Sequence, residues 1–222
     1  LFLCCLILVL FNLACFSVKK VIVTGAKEVL TERIIVLSGL RKGQSIFQVN
    51  PDRIRRNLTR DPGLADAKIK VEFPDRVWVG VTERQPFCQV EYGEQYLVIG
   101  ADGIIIKNVM QPSPFLPLVT GCIPINPRLG RKLAAVNFKE ALQILNLAGN
   151  YLRRSLRRID PRQHCLYVIQ AGSLIIKVEL GNSQEMAKKI TNLRAILIQG
   201  AVNITGIDLR IPDMPLVQKK GN

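Results

Sequence analysis

The opening of the chain, LFLCCLILVLFNLACFSV at residues 1–18, carries no charged side chain and only two uncharged polar residues, Asn12 and Ser17. Crossing a bilayer as a helix takes about 20 mainly apolar residues, and a slightly shorter run is accommodated by local adjustment. Residues 1–17 are therefore expected to be a transmembrane anchor. Because Leu1 is neither Met nor preceded by a basic flank, a further cytoplasmic segment is expected before it. A buried helix and a signal peptide remain alternatives, although a signal peptide usually has a shorter apolar region and a small-x-small cleavage site. Asn12-Leu13-Ala14-Cys15 faintly resembles a lipoprotein cleavage site, but Asn12 stands where an aliphatic residue is wanted. Lys19 and Lys20 follow the run and, taken alone, favour a cytoplasmic flank, which leaves orientation open.

The rest of the 222-residue chain is long enough for one or two domains, and 48% hydrophobic against 22% charged residues argues for a folded body. The formal charge of +14 is uneven. Residues 1–106 carry 14 Lys/Arg and 11 Asp/Glu, a net +3, whereas residues 107–222 carry 17 and 6, a net +11. Such an excess favours anionic surfaces generally: an acidic protein, a membrane or, less specifically, a nucleic acid. Cys88, Cys122 and Cys165 are widely spaced with no CxxC pair, and the single histidine, His164, neighbours Cys165. Partly buried free thiols are expected, with no metal site and no disulfide framework.

Val18-Lys19-Lys20-Val21-Ile22-Val23-Thr24-Gly25 reads as a strand with a glycine turn. Thr31 through Ser38 reads as a short helix, with Thr31 as cap and Gly39 at its left-handed end. Asn50 and Pro51 start a second helix with Ile54 and Leu58 on one face, and Asp61-Pro62-Gly63 stops it. Lys68–Phe73 alternates as a strand with Ile69, Val71 and Phe73 on one face. Pro74-Asp75 makes a turn, and Val77–Glu83 a last strand that Pro86 terminates. Ile46 and Phe47 are expected to enter the core after a turn at Gly43. The order is β-α-α-β-β, with helices covering one face of a small sheet. This order, with "GQSIFQVN" and "DPGLADAKIKVEFPDRVWVGVTERQP", resembles the POTRA domain of the bacterial cell-division family FtsQ/DivIB.

Beyond residue 86, Phe87–Tyr92 and Gln95–Ile99 read as paired strands around Gly93-Glu94. The five prolines between 111 and 130 suit an ordered connecting path. Residues 132–149 have helical spacing ending at Gly149, and Arg153, Arg154, Arg157 and Arg158 form a basic run read as a solvated face. Two strands follow, over 164–169 and 173–180. Glu185–Ile198 is an amphipathic helix with Met186, Ile190, Leu193 and Leu197 inward and Lys188, Lys189 and Arg194 toward water. Asn203–Arg210 is a strand, with a terminal segment near Met214–Gln218. "YLVIGADGIII", "FLPLVTG", "VELG" and "IDLRIP" resemble the main domain of the same family, with Ile211 where an aromatic is common.

The expected fold class is α+β: an anchor over 1–17, a POTRA domain over 18–85, a mixed α/β domain with an extended antiparallel sheet over 86–218, and a polar tail over 219–222. Asp208 and Arg210, two apart in a strand, are expected to share a face as a structural ion pair. No nucleophile, base or phosphate-binding glycine loop stands out, so no catalytic residue, metal or cofactor is expected. The resemblance implies a non-enzymatic inner-membrane scaffold, its main domains extracytoplasmic and enriched at the division septum. It would bind divisome membrane proteins, especially small coiled-coil proteins of the FtsB/DivIC and FtsL type. The implied binding edge is Met214, Pro215, Leu216, Val217 and Gln218, where a partner adds a strand. No specific nucleic-acid site is expected, while contact of the positive second domain with anionic lipid stays open. A POTRA adaptor of a secretion or outer-membrane assembly system, and a basic nucleic-acid binder, are the rival readings.

Overall fold

The computed structural model describes residues 16–170, 174–199 and 204–219. Residues 1–15 of the expected anchor, most of the expected polar tail, and Ser173 lie outside the described residues. The chain divides into two compact units between Gln85 and Pro86.

In the first unit, β1 (Lys20–Thr24) pairs in parallel with β3 (Arg76–Glu83), which pairs antiparallel with β2 (Leu64–Glu72), giving the order β1-β3-β2. Helices α1 (Thr31–Ser38) and α2 (Pro51–Leu58) lie between β1 and β2 in sequence. The arrangement is the β-α-α-β-β of a POTRA-like domain. Asn50 caps α2 by accepting the Arg53 N–H at 3.0 Å, and Pro51 fills the first turn. At α1 the cap differs from expectation. Leu30 occupies the cap position without a side-chain bond, because Thr31 is already helical. Gly39 closes that helix at φ 72°. Ile34, Ile46, Ile54, Leu58, Leu64, Val77 and Val79 form the core. Phe47 does not join them: the one-turn 3-10 helix Ile46–Gln48 sends Ile46 inward and leaves Phe47 45% exposed. Gly25 has φ +84°, and a Cβ there would fall 2.1 Å from the Val81 carbonyl oxygen, so no larger residue fits that crossing.

The second unit is larger. Its nine strands run in the order β14-β13-β12-β11-β10-β7-β4-β5-β6. These are β4 (Pro86–Tyr92), β5 (Gln95–Gly100), β6 (Ile105–Val109), β7 (Leu118–Val119), β10 (Leu156–Asp160), β11 (Cys165–Gln170), β12 (Leu174–Glu179), β13 (Ile204–Asp208) and β14 (Leu216–Lys219). A separate pair, β8 (Ile123–Pro124) and β9 (Ala135–Val136), forms a small antiparallel ribbon. The sheet is mixed. β4–β7, β7–β10 and β12–β13 are parallel, and the other pairings are antiparallel. Helices α3 (Phe138–Ser155) and α4 (Met186–Ile198) supply Ile144, Leu145, Leu152, Ile190 and Leu193 to one continuous core with the strands. The molecule is thus α+β, a POTRA-like unit followed by a larger mixed sheet.

Two buried polar side chains tie connecting segments to this unit. Gln89, only 1% exposed, donates from Nε2 to the carbonyls of Ser113 and Leu116 at 2.7 and 2.9 Å and accepts the Ser113 N–H at 2.8 Å. The proline-bearing path is thereby held so that its two-residue strand β7 bridges β4 and β10. Lys189, expected to face water, is 1% exposed and donates to the carbonyls of Leu180 and Asn182, both at 2.8 Å, and to Asn182 Oδ1 at 3.1 Å. Its long stem carries the ammonium from α4 to the turn after β12, where three acceptors replace water.

Arg194 also departs from expectation. Its Nη2 lies 3.3 Å from the carbonyls of both Leu147 and Ala148, at the point where α3 breaks at Gly149, φ 63° and ψ −175°. The helix expected to end there continues past the break to Ser155. Gly tolerates that backbone conformation, and the guanidinium places a donor at the two carbonyls just before the break.

Candidate partner-binding edge

The expected edge residues divide between a turn and a strand. Met214 and Pro215 lie in the turn, while Leu216, Val217 and Gln218 begin β14, which continues to Lys219. β14 is the last strand of the nine and pairs antiparallel with β13, Asp208 opposite Leu216, Ile207 opposite Val217 and Gly206 opposite Gln218. All four of its residues are exposed. Among the described residues no strand pairs with its outer side. An edge strand keeps a row of unpaired N–H and C=O groups that a further strand can join.

Helix α4 fixes the approach to this strand. Lys188 Nζ lies 2.5 Å from Asp213 Oδ1, and Asn192 Nδ2 donates to the Pro212 carbonyl at 2.6 Å. Pro212 is itself buried, and the Met214 N–H closes a turn onto the Ile211 carbonyl at 3.1 Å. Ile211, Met214 and Leu216 are thereby held exposed on an ordered segment. The side chain of Gln218 lies over Gly206, where a Cβ would meet its Oε1 at 2.9 Å.

A charged ladder stands beside the edge. Arg210 donates from Nε to Asp208 Oδ2 at 2.9 Å and from Nη2 to the same oxygen at 2.6 Å, while its backbone N–H bonds Asp208 Oδ1 at 2.9 Å. Glu179 Oε2 is 3.9 Å from Arg210 Nε, and Lys177 Nζ donates to Glu179 Oε1 at 3.0 Å. The Arg210 hydrogen bonds hold the Asp208 carboxyl below its ordinary pKa, and the Glu179 bond raises Lys177. With Thr205, Gly206 and Gln218 these side chains line a shallow hollow of about 200 Å³. The pairing of Asp208 with Arg210 gives a fixed, charged rim rather than an acid and a base.

Other residues noted in the sequence are occupied structurally. Ser38 donates to the Ile35 carbonyl at 2.6 Å and accepts the Leu40 N–H. Burial pushes the thiols of Cys88 and Cys122 up to about 12, which keeps them protonated and poor nucleophiles. His164 Nδ1 lies 3.1 Å from Glu140 Oε1, tying the start of α3 to the β10–β11 turn. Among the described residues, no group of three His, Cys, Asp or Glu side chains could hold a metal. The arginine run is dispersed over a helix end and a strand. Arg153 stacks on Phe87 at 4.5 Å, Arg158 on Tyr167 at 4.4 Å, and Arg157 donates to the Pro114 carbonyl.

Sequence reasoning missed Glu83 as well as Gln89 and Lys189. Glu83 Oε1 accepts the backbone N–H groups of Lys27, Glu28 and Val29 at 2.7, 2.8 and 2.8 Å. Those bonds, led by Val29 and Lys27, hold its carboxyl below the ordinary range. Only the pattern of a carboxylate leaving the strand opposite a turn without its own acceptor could have hinted at this.

Residues 16–84 match the family model for the FtsQ-type POTRA domain. The match begins at Phe16, which packs against the core of the first unit, and Ser17 bridges to Ser45. The cell-division protein DivIB of Clostridium acetobutylicum is 30% identical over 104 residues, 47% of this chain and 42% of that protein. The cell-division protein FtsQ of Rickettsia bellii is 25% identical over 208 residues, 92% of this chain and 73% of that protein. That of Bradyrhizobium diazoefficiens is 22% identical over 208 residues, 93% of this chain and 58% of that protein. The chain thus spans between 42% and 73% of the length of these relatives. The similarity to these FtsQ proteins runs through both units, and the first unit matches the FtsQ-type POTRA domain.

Proposed function

We propose that this chain is a non-enzymatic division scaffold, held in the inner membrane by residues 1–17, with the POTRA domain and the domain over 86–218 on the extracytoplasmic side. Its task is to bring septal cell-wall synthesis proteins together through protein contacts. Small coiled-coil membrane proteins of the FtsB/DivIC and FtsL type are the partners of this reading. One of them adds a strand to the outer side of β14, across Leu216, Val217 and Gln218, with Met214 and Pro215 setting the approach.

The observation that carries the reading is an exposed strand at the end of a nine-stranded sheet, presented by an ordered turn that α4 holds. Backbone hydrogen bonds supply affinity in such pairing, and exposed side chains such as Leu216 select the partner. The relatives' names as cell-division proteins support the cellular setting. The test is crosslinking and recovery of the full chain from dividing cells, comparing the natural sequence with Val217→Pro and Leu216→Glu. Loss of coiled-coil division partners in both variants, with the chain still folded, is expected. Undiminished recovery, or recovery of export or barrel-assembly proteins alone, would sink the reading.

A further inference from the structure

Three phenylalanines from separate segments meet at one end of the first unit. The Phe16 and Phe47 rings have centroids 5.4 Å apart, and Phe47 and Phe73 are also 5.4 Å apart. Phe47 is 45% exposed and Phe73 58% exposed, so the cluster is built outward as well as inward. Tilted ring pairs gain from one another, yet the apolar area that Phe47 and Phe73 still expose is costly in water.

The charge around them has a pattern. Lys20 stands opposite Arg76 in the β1–β3 pairing, and Lys19 precedes it. The turn carrying Arg41 and Lys42 runs alongside, since Gly43 N–H bonds the Val18 carbonyl and Val18 N–H bonds the Gln44 carbonyl, each at 2.9 Å. All five cations are exposed. Two carboxylates lie nearby, and both are engaged. Asp75 is shared between Lys19 and Arg76 at 3.8 Å each, and Glu72 accepts the Trp78 indole N–H at 3.0 Å. An apolar aromatic centre with a cationic rim matches the acyl boundary and phosphates of an anionic bilayer surface.

Connectivity decides between a membrane and a protein as the occupant. Phe16 directly follows the uncharged run of residues 1–15, so the cluster begins where that run ends. We propose that Phe16, Phe47 and Phe73, with Lys19, Lys20 and Arg76 around them, seat the first unit on anionic phospholipid beside its own anchor. This rests on the anchor reading of residues 1–17. The seat limits the swing of the first unit about the anchor, because a surface contact next to a covalent tether works at high effective concentration.

The test uses the full chain in nanodiscs of phosphatidylcholine and phosphatidylglycerol, in a Trp78→Phe background. Phe47→Trp and Phe73→Trp report depth through quenching by lipids brominated high in the acyl chain. Leu30→Trp, an exposed position at the start of α1, is the reference. Loss of emission at 47 and 73 but not at 30 is expected, reduced by the paired change Arg41→Glu and Lys42→Glu, which leaves the phenylalanines untouched. Equal emission at all three positions in chains that still float with lipid after alkaline washing would overturn the docking while leaving the anchor standing. Chains that no longer float would overturn both. Emission that follows the number of chains per disc, and not bromination, would assign the patch to a second copy and overturn the lipid assignment.

Discussion

The two sheets of this protein solve the same problem by different routes. In the first unit the central strand β3 touches both neighbours, and each helix closes with a local device: Asn50 at the start of α2, Gly39 at the end of α1. In the second unit, among the described residues, the strand order passes from one side of the sheet to the other through the two-residue β7, too short to hold itself. Gln89, Lys189 and Arg194 supply from a distance what local signals do not. The small sheet rests mainly on its own periodicity and caps, with Glu83 as a long-range polar tie, whereas the nine-stranded one depends more on polar side chains that bind other segments.

Substitutions separate the two routes. The largest loss is expected at Gln89→Leu, which strips the part-buried Ser113 N–H and Leu116 carbonyl of their partner and leaves the Ser113 carbonyl only the Leu116 N–H at 3.4 Å. Stability should fall by about 3–5 kcal/mol, from costs of roughly 1–3 kcal/mol for each buried group left unsatisfied. Hydrogen exchange should show loss of protection first at β7 and then across β4 and β10. If the loss is confined to residues 111–119, β7 does not join the two sides.

Gly25→Ala should cost about 2–4 kcal/mol by urea denaturation, because a left-handed backbone and a 2.1 Å approach to Val81 are both incompatible with a Cβ. Its effect should stay within the first unit, and spread into the second would break the comparison. Lys189→Met keeps most of the stem volume but strips three acceptors of their donor. About 2–3 kcal/mol is expected from that loss. The loss should appear as exchange at Leu180 and Asn182, whereas a neutral outcome would reduce Lys189 to a packing residue.

The smallest effect concerns pH. The Glu83 pKa is lowered in the folded state by its three backbone donors, so its contribution is present above the ordinary carboxylate pKa and is lost as pH falls through the lowered value. Glu83→Gln should therefore be less stable than the natural protein near neutrality. About 1 kcal/mol is expected, from charged hydrogen bonds exchanged for neutral ones and reduced by solvent screening. The gap should narrow on acidification through that window. A gap independent of pH would assign Glu83's role to shape rather than charge.

Much of the first unit is legible in the sequence. Asn50-Pro51, Gly39 and the alternation of β2 and β3 are short-range signals, and each appears where the spacing places it. Thr31 misleads because a capping residue type does not say whether it sits before the helix or in it. Phe47 misleads because a 3-10 turn rotates neighbouring side chains further apart than a run of apolar letters suggests. In the second unit a short-range signal also holds near the edge: Asp208 and Arg210, two apart, do pair. Amphipathic spacing places α4 but puts Lys189 and Arg194 in water, since residue type speaks for the average lysine or arginine and not for one facing carbonyls across the core.

The residues alone determine the α+β class, the β-α-α-β-β order, the family resemblance and the helix stripe of α4, because all of these rest on neighbours within a turn or a strand. Tertiary structure alone decides which short segment joins the two sides of the large sheet, that Lys189 is buried, and which phenylalanines meet at the surface. These depend on pairings between residues in different elements, where the free energy of satisfying a buried polar group or covering an apolar face outweighs the local preference of either residue.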